Sequence, residues 1–397
     1  MKPLAAAFEV ETQAHICSFR AVVHELVDYE PGRDVEEVAE ELDIPVARIV
    51  KLASNENPFG PSPKAIAAIP AEFPNLHMYP WKRFTDFKHV LAEYHGLTPE
   101  NIVLGHGTES LIASVPQLYV DPGDEIVVAA ESYTLHELSC VAMGAVVRRV
   151  ALKDYRYDLD AMLAAVGPRT KVLWLCNPNN PTGTILTEAE VEYLLERLPA
   201  TVAVVMDGAY AEYADDPDYG DGLTFVRRGY PNVITMRTLS KAYGLAGLRV
   251  GFAAAHPEVC RMLDRLREPF NLSRAATAAG PAAIADVAWL HHCQELNRAG
   301  RRYLSEEFTR LGFDVVPSQS NFILVDVKQD ADSLFGRLLA QGIIVRPAGG
   351  WGYARHIRVT VGTAEQNAQL IAALDAFAAG EAAGQGPRRT EGVPVGE

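Results

Sequence analysis

The feature that most restricts this chain is a series of short, mostly β-branched apolar runs, at residues 102–104, 126–130, 172–176, 202–206, 233–236 and 250–254. Helix-like stretches such as Glu188–Arg197 (EAEVEYLLER) separate several of them. Alternation of this kind predicts an α/β fold built on a mostly parallel sheet, whose strands are apolar because both faces are covered. Further runs at 321–327, 343–346 and 357–361, with a helical pattern at 331–341 between them, predict a smaller α+β domain toward the C-terminal end. Near the other end, Val35–Leu42 (VEEVAEEL) has the spacing of a short amphipathic helix in an N-terminal arm.

With 397 residues the chain suits two packed domains. The expected layout is an arm over 1–60, a large domain over 61–285, a small domain over 286–379 and a tail over 380–397. That tail, rich in Gly and charge, lacks the large apolar side chains that would offset the entropy of ordering it, and reads as disordered. A net charge of −15 argues against a nucleic-acid binder and against docking on anionic membranes. Any anionic ligand must therefore be held by a local cluster of donors and cations. Five scattered cysteines make neither a disulfide framework nor a zinc pattern, and suit a reducing cytoplasm. The first residues carry acids within their apolar stretch and read poorly as a signal peptide. No window of about 20 uninterrupted apolar residues predicts a membrane span.

In open α/β sheets, ligands gather at the carboxyl ends of strands, and four such ends carry unusual polar residues. After 102–104 come Gly105, His106, Gly107, Thr108, Glu109 and Ser110, then an apolar helical pattern. Glycines admit backbone N–H groups to an anion, and a helix N-terminus adds a favourable dipole. A plain strand–turn–helix link fits these residues equally well. The dinucleotide fingerprint is excluded, because Ser110 stands where the third glycine is needed. After 172–176 comes Asn-Pro-Asn-Asn-Pro-Thr-Gly (177–183), a rigid turn with far more specific chemistry than a plain turn needs.

The run 202–206 leads into Asp207, with Tyr210 three residues on. A carboxylate at the end of a buried strand is costly unless it meets a cation; a protonated pyridine nitrogen would be one, and a helix cap is the plainer alternative. After 233–236 come Arg237, Thr238, Leu239, Ser240 and Lys241, then Gly244, Gly247 and Arg249. A neutral lysine amine can form an imine with an aldehyde, and Ser240 with Arg249 could hold a phosphate. A phosphate cradle, an acid for a ring nitrogen, a phenol for a ring oxygen and an amine for an aldehyde together describe pyridoxal phosphate.

The wording and order of the motifs resemble the fold-type I pyridoxal-phosphate enzymes, most closely the histidinol-phosphate aminotransferases. The matching text is KLASNENPFGPSP (51–63), MYP (78–80), NPNNPTG (177–183), TLSKAYGLAGLRVGF (238–252), PFN (269–271), SQSNFILV (318–325), VRPAGG (345–350) and HIRVTVGT (356–363). The resemblance spans residues 29–378. It implies a large domain with a mostly parallel, seven-stranded type of sheet, and ping-pong aminotransfer with the cofactor held as a Schiff base on Lys241. By resemblance, Asp207 pairs with the ring nitrogen, Tyr210 and Asn180 reach the ring oxygen, and Tyr133 stacks on the ring. Gly107, Thr108, Glu109, Ser240 and Arg249 take the phosphate, joined by Tyr79 from the neighbouring subunit of a homodimer. Arg358 clamps the substrate carboxylate, with Arg346 and Tyr29 at its distal end.

There are four departures, Glu109-Ser110 for Asp-Glu, Gly208 within Asp-Glu-Ala-Tyr, Glu131-Ser132-Tyr133 for Pro-Thr-Tyr, and Leu272-Ser273-Arg274 for Val-Asn-Ser, and several fall near the expected substrate or dimer contacts. They admit a second reading, another pyridoxal-phosphate reaction on this scaffold: decarboxylation, elimination, replacement or carbon–carbon bond formation in a specialised biosynthetic pathway. A cofactor-sensing regulator would need a DNA-binding module for which the chain leaves little room. No metal site is expected, because neighbouring helical residues such as His291, His292 and Cys293 point about 100° apart. His106 and Arg274 receive no role from sequence.

Overall fold

The computed structural model describes residues 19–27 and 32–384. Its strands, in chain order, are β1 (Val50–Lys51), β2 (Ile102–His106), β3 (Glu125–Ala129), β4 (Val146–Val150), β5 (Thr170–Cys176), β6 (Ala203–Asp207) and β7 (Val233–Thr238). There follow β8 (Val250–Ala255), β9 (Asp314–Val316), β10 (Phe322–Asp326), β11 (Ile343–Ile344), β12 (Arg346–Pro347) and β13 (His356–Thr360). Seven of them form one sheet in the order β2-β8-β7-β6-β5-β3-β4. Every pairing in it is parallel except those of β8, which runs against both β2 and β7.

The unbroken apolar runs are explained by burial on both faces. Val127, Leu173, Leu175, Val204 and Met206 enter one core cluster, whereas Ile126, Val128, Val172, Trp174 and Val205 enter another. Successive residues of β3, β5 and β6 thus alternate between two cores rather than between core and water. Edge strand β4 escaped the sequence reading. Its residues are half-exposed or exposed and include Arg148 and Arg149, which pair with Glu125 and Glu137. One wet face removes the apolar run that marks its neighbours.

The order β12-β13-β10-β9 makes a four-stranded antiparallel sheet, and β1 pairs in parallel with β11. Ile323, Val325, Ile357 and Val359 of that sheet pack on Leu304 and Phe308 of the helix Val287–Arg310 and on Leu370 and Leu374 of the last helix. The N-terminal segment is tied in by the helix Val35–Leu42, which starts where Asp34 accepts from the N–H groups of Glu36 and Glu37. Its Val38 and Ala39 pack with Ile49 and Ile344. The last helix, Ala364–Gly384, runs into the segment expected as a tail. Alanine-rich sequence there (AAGEAAG, 378–384) favours helix by propensity alone, which the argument from apolar content overlooks; residues 385–397 lie outside those described. No described helix is long and apolar enough to cross a membrane.

Candidate active site

Because β2, β3, β5, β6 and β7 run the same way, their carboxyl ends share one edge of the sheet, joined by the start of the reversed β8. That edge gathers Gly107 after β2, Tyr133 after β3, Asn180 after β5, Asp207 ending β6, Lys241 after β7 and Arg249 before β8.

Lys241 is the chemical centre of this edge. Its Nζ donates to the Ser54 carbonyl at 2.9 Å and lies 5.8 Å from the centre of the Tyr210 ring. Desolvation, and then the Arg358 guanidinium, lower the ammonium from its ordinary 10.5 to about 8; Arg249 adds to the fall, while Glu56 and Asp207 oppose it. An amine so placed is partly neutral near physiological pH, as a nucleophile toward an aldehyde must be.

Asp207 is 3% exposed, yet both of its oxygens are engaged. Oδ1 accepts from the Ala209 N–H at 3.0 Å, and Oδ2 lies 2.9 Å from His136 Nε2. His136 in turn stacks on Trp174 with ring centres 4.6 Å apart and meets Tyr133 edge-on at 5.4 Å. His136 was missed by sequence reasoning. It stands three residues after Tyr133, at the start of the helix Leu135–Val141, so the available signal was an imidazole one helical turn beyond a singled-out aromatic.

Tyr210 is buried and its hydroxyl accepts from Asn55 Nδ2 at 3.1 Å; burial raises its phenol above the ordinary value. Asn180 Oδ1 accepts from Arg358 Nη1 at 2.6 Å, and Arg358 Nη2 donates to the Ala53 carbonyl at 2.6 Å. Arg358, on β13, faces Arg346 on β12 in register. Both guanidinium groups lie over the ring of Trp351, at 5.3 Å for Arg358 and 5.9 Å for Arg346 from its centre. The antiparallel sheet thus delivers a pair of cations to the carboxyl edge of the parallel one.

The turn after β2 has the features of an anion cradle. The helix Gly107–Tyr119 begins there, and the Gly107 N–H donates to the Arg249 carbonyl at 3.0 Å. Gly107 has φ +71°, and a Cβ on it would fall 2.6 Å from Arg249 Nη2, so only glycine lets the guanidinium lie against the turn. Arg249 itself has φ +54°, and its Nη2 lies 3.4 Å from Glu109 Oε2. Ser240 is buried beside Thr238, whose Oγ1 accepts the Ser240 N–H at 3.0 Å. Thr108 closes on β8, where a Cβ on Gly251 would fall 2.7 Å from its backbone nitrogen.

Behind this edge, buried Arg237 donates to the Gly208 carbonyl at 3.1 Å and pairs with Asp221, with Glu212 Oε1 at 3.7 Å. A Cβ on Gly208 would fall 1.8 Å from Arg237 Nη1. That explains the glycine at this departure from Asp-Glu-Ala-Tyr: the guanidinium occupies the side-chain position. Burial pushes the Glu212 carboxyl up to about 7 in spite of Arg237.

Two expected residues stand apart. Tyr79 is 74% exposed and stacked on Phe270, ring centres 4.2 Å apart. Tyr29 lies outside the described residues. Among the described residues, no three His, Cys, Asp or Glu side chains cluster as a metal site.

Against known proteins, the family model for aminotransferase class I and II matches residues 47–374. The chain is 42% identical to a histidinol-phosphate aminotransferase of Moorella thermoacetica, over 92% of this chain and 94% of that one. It is 44% identical to histidinol-phosphate aminotransferase 2 of Pseudomonas fluorescens, over 89% of this chain and 95% of that one. Among solved structures, it resembles a histidinol-phosphate aminotransferase of Sinorhizobium meliloti in complex with pyridoxal 5'-phosphate. The TM-score is 0.83 at 29% identity, over 92% of this chain and 99% of that one.

Proposed function

The chain belongs to the class I and II aminotransferases and is a transferase of nitrogenous groups; from that premise we propose that it uses pyridoxal phosphate to move an amino group to or from an amino-alcohol phosphate of the histidinol-phosphate kind. The observation that carries this reading is the desolvated Lys241 amine, of lowered basicity, set one strand away from the buried Asp207 carboxylate.

The residues present fit the cofactor: a glycine turn that a Cβ would fill, a buried acid, and an amine in the same electrostatic environment as that acid. Pyridoxal phosphate, when bound, supplies an aldehyde for amines and a protonated ring that draws electrons from the substrate Cα. Lys241 Nζ, as a neutral amine, would hold the cofactor through its aldehyde and, when free, would hold and return a proton beside the substrate Cα. The Asp207 carboxylate would hold a proton on the ring nitrogen, and the His136 imidazole, 2.9 Å from Oδ2, orients that carboxylate. Backbone N–H groups of Thr108 and Glu109, with Ser240 and Arg249, would hold the cofactor phosphate. Arg358 and Arg346 take the anionic end of the substrate, and Asn180 links that clamp to the ring site.

The reading includes a homodimer in which Tyr79 serves the partner subunit's site, since its side chain is largely exposed. The large domain in this reading spans 61–285 and the small one 286–379. Cys140, Cys176, Cys260 and Cys293, buried and unbridged, support a reducing cytoplasm.

The test is turnover with histidinol phosphate against unphosphorylated histidinol, in the presence of a 2-oxo acid acceptor. The reading expects the phosphate ester to be preferred by roughly tenfold or more in kcat/KM, the scale of a charge-assisted hydrogen bond. Equal use of both compounds, or release of carbon dioxide from amino acids without amino transfer, would sink it.

A further inference from the structure

Glu72 is 1% exposed, an unusual place for a carboxylate, and it is held by two arginines from different parts of the chain. Arg83 pairs with Oε1, and Arg274 Nε donates to Oε2 at 2.8 Å. Arg274 is itself largely buried, with 13% of its side chain exposed, and its Nη1 donates to the Met78 carbonyl at 3.3 Å. Met78 immediately precedes Tyr79. The segment between Glu72 and Arg83 is thus closed at its ends by one ion pair and gripped in its middle by the other arginine. On its outer side Tyr79 lies flat on Phe270, planes 16° apart. Phe270 takes a left-handed φ of +56°, a strained choice for an aromatic residue. An exposed phenol held this firmly is arranged for something outside its own chain.

We infer that Glu72 and Arg274 are positioning residues for Tyr79: their buried ion pair fixes the Met78 carbonyl and so sets the phenol outward, toward the cofactor phosphate in the partner subunit's site. The inference rests on the homodimer reading above. It also gives a role to Arg274, which received none from sequence. Arginine is suited to the task because one planar group binds the Glu72 carboxylate and the Met78 carbonyl together. Lysine keeps the charge and loses the fork.

The experiment measures the dissociation constant of pyridoxal phosphate for the full-length protein, with thermal midpoint and oligomeric mass recorded alongside. Four forms are compared: wild type, Tyr79→Phe, Arg274→Lys and the double variant. Losing one hydrogen bond to the phosphate should weaken binding in Tyr79→Phe by about tenfold. Arg274→Lys should weaken it roughly threefold to tenfold with little change in thermal midpoint or mass, and the double variant should be no weaker than Tyr79→Phe alone. General loosening of the fold would add to the Tyr79 effect instead of vanishing with it. An additive double variant, or an Arg274→Lys protein that binds like wild type while Tyr79→Phe does not, overturns the positioning role and leaves the dimer reading standing. A Tyr79→Phe protein that binds like wild type overturns both. Should Arg274→Lys fail to fold, the combined Glu72→Gln and Arg274→Gln exchange removes both buried charges at once and is held to the same outcomes.

Discussion

The strand-end edge and the Tyr79 segment solve the same task, placing polar side chains for a ligand, in opposite ways. Asp207, Tyr210, Asn180 and Ser240 are all less than a tenth exposed, and Tyr210 and Asn180 are held by Asn55 and Arg358, which lie outside the seven-stranded sheet. Tyr79 is 74% exposed, and it is fixed from below by an ion pair that touches none of those residues. The first arrangement follows from sheet topology: parallel strands put their carboxyl ends together whatever the side chains are. The second has no such framework and relies on a buried charge cluster to hold a surface segment. In the proposed homodimer, a second copy of the chain would bring its exposed part to the other's buried one.

The contrast is broken most severely at Lys241. Lys241→Ala should lower turnover by at least roughly a thousandfold, the scale of losing a proton-transfer group, with the dimer intact; near-normal turnover would remove Lys241 from the chemistry. Asp207→Asn comes next. It keeps the shape and removes the charge, and should cost roughly a hundredfold in kcat, as breaking a buried charge pair does. Binding measured in the same variant would show whether the loss lies in holding the cofactor or in using it. Arg358→Gln should act mainly through KM for the anionic substrate, raised roughly tenfold to a hundredfold; an unchanged KM would take β13 out of the substrate clamp. His136→Asn, which leaves Asp207 Oδ2 without its imidazole, should lower kcat by only about tenfold. These strand-end effects should not vary with protein concentration, whereas the contribution of Tyr79 should vanish on dilution below the dimer's dissociation constant.

The smallest effect is in pH. Lys241 titrates at about 8 in the fold against an ordinary 10.5, so the folded protein releases this proton before the unfolded chain does. Between those two values the unfolded chain binds more protons, and stability of the cofactor-free protein rises with pH through this window. Below about 8 both states are charged and the contribution is flat. Capture of pyridoxal phosphate should accelerate with pH through a midpoint near 8 and level off above it, read by stopped-flow absorbance. A rate independent of pH from about 6 to about 9 would mean that the attacking amine is not this one.

The candidate site residues were legible in sequence, and the residues that hold them in place largely were not. Asp207 and Lys241 stand out because each follows an apolar run whose burial makes a polar residue conspicuous. His136 stayed hidden because its importance depends on the end of β3 folding over the end of β6, which spacing alone does not specify. Arg274 was invisible as a functional residue because its partner Glu72 lies 202 positions away, with nothing in either neighbourhood to join them. Edge strand β4 was lost for a related reason, since its arginines answer to Glu125 and Glu137 rather than to a periodic pattern. Local pattern reports which strands are buried. Long-range charge pairing has no local signature.

The central claim is that one desolvated amine, Lys241, captures the cofactor at the strand ends. It is tested most directly by incubating the protein with pyridoxal phosphate, reducing with borohydride, and locating the label by peptide mass spectrometry. A single stable adduct on Lys241, absent from Lys241→Ala, is the predicted result. Label on another lysine in place of Lys241, or no label at saturating cofactor, would contradict the account.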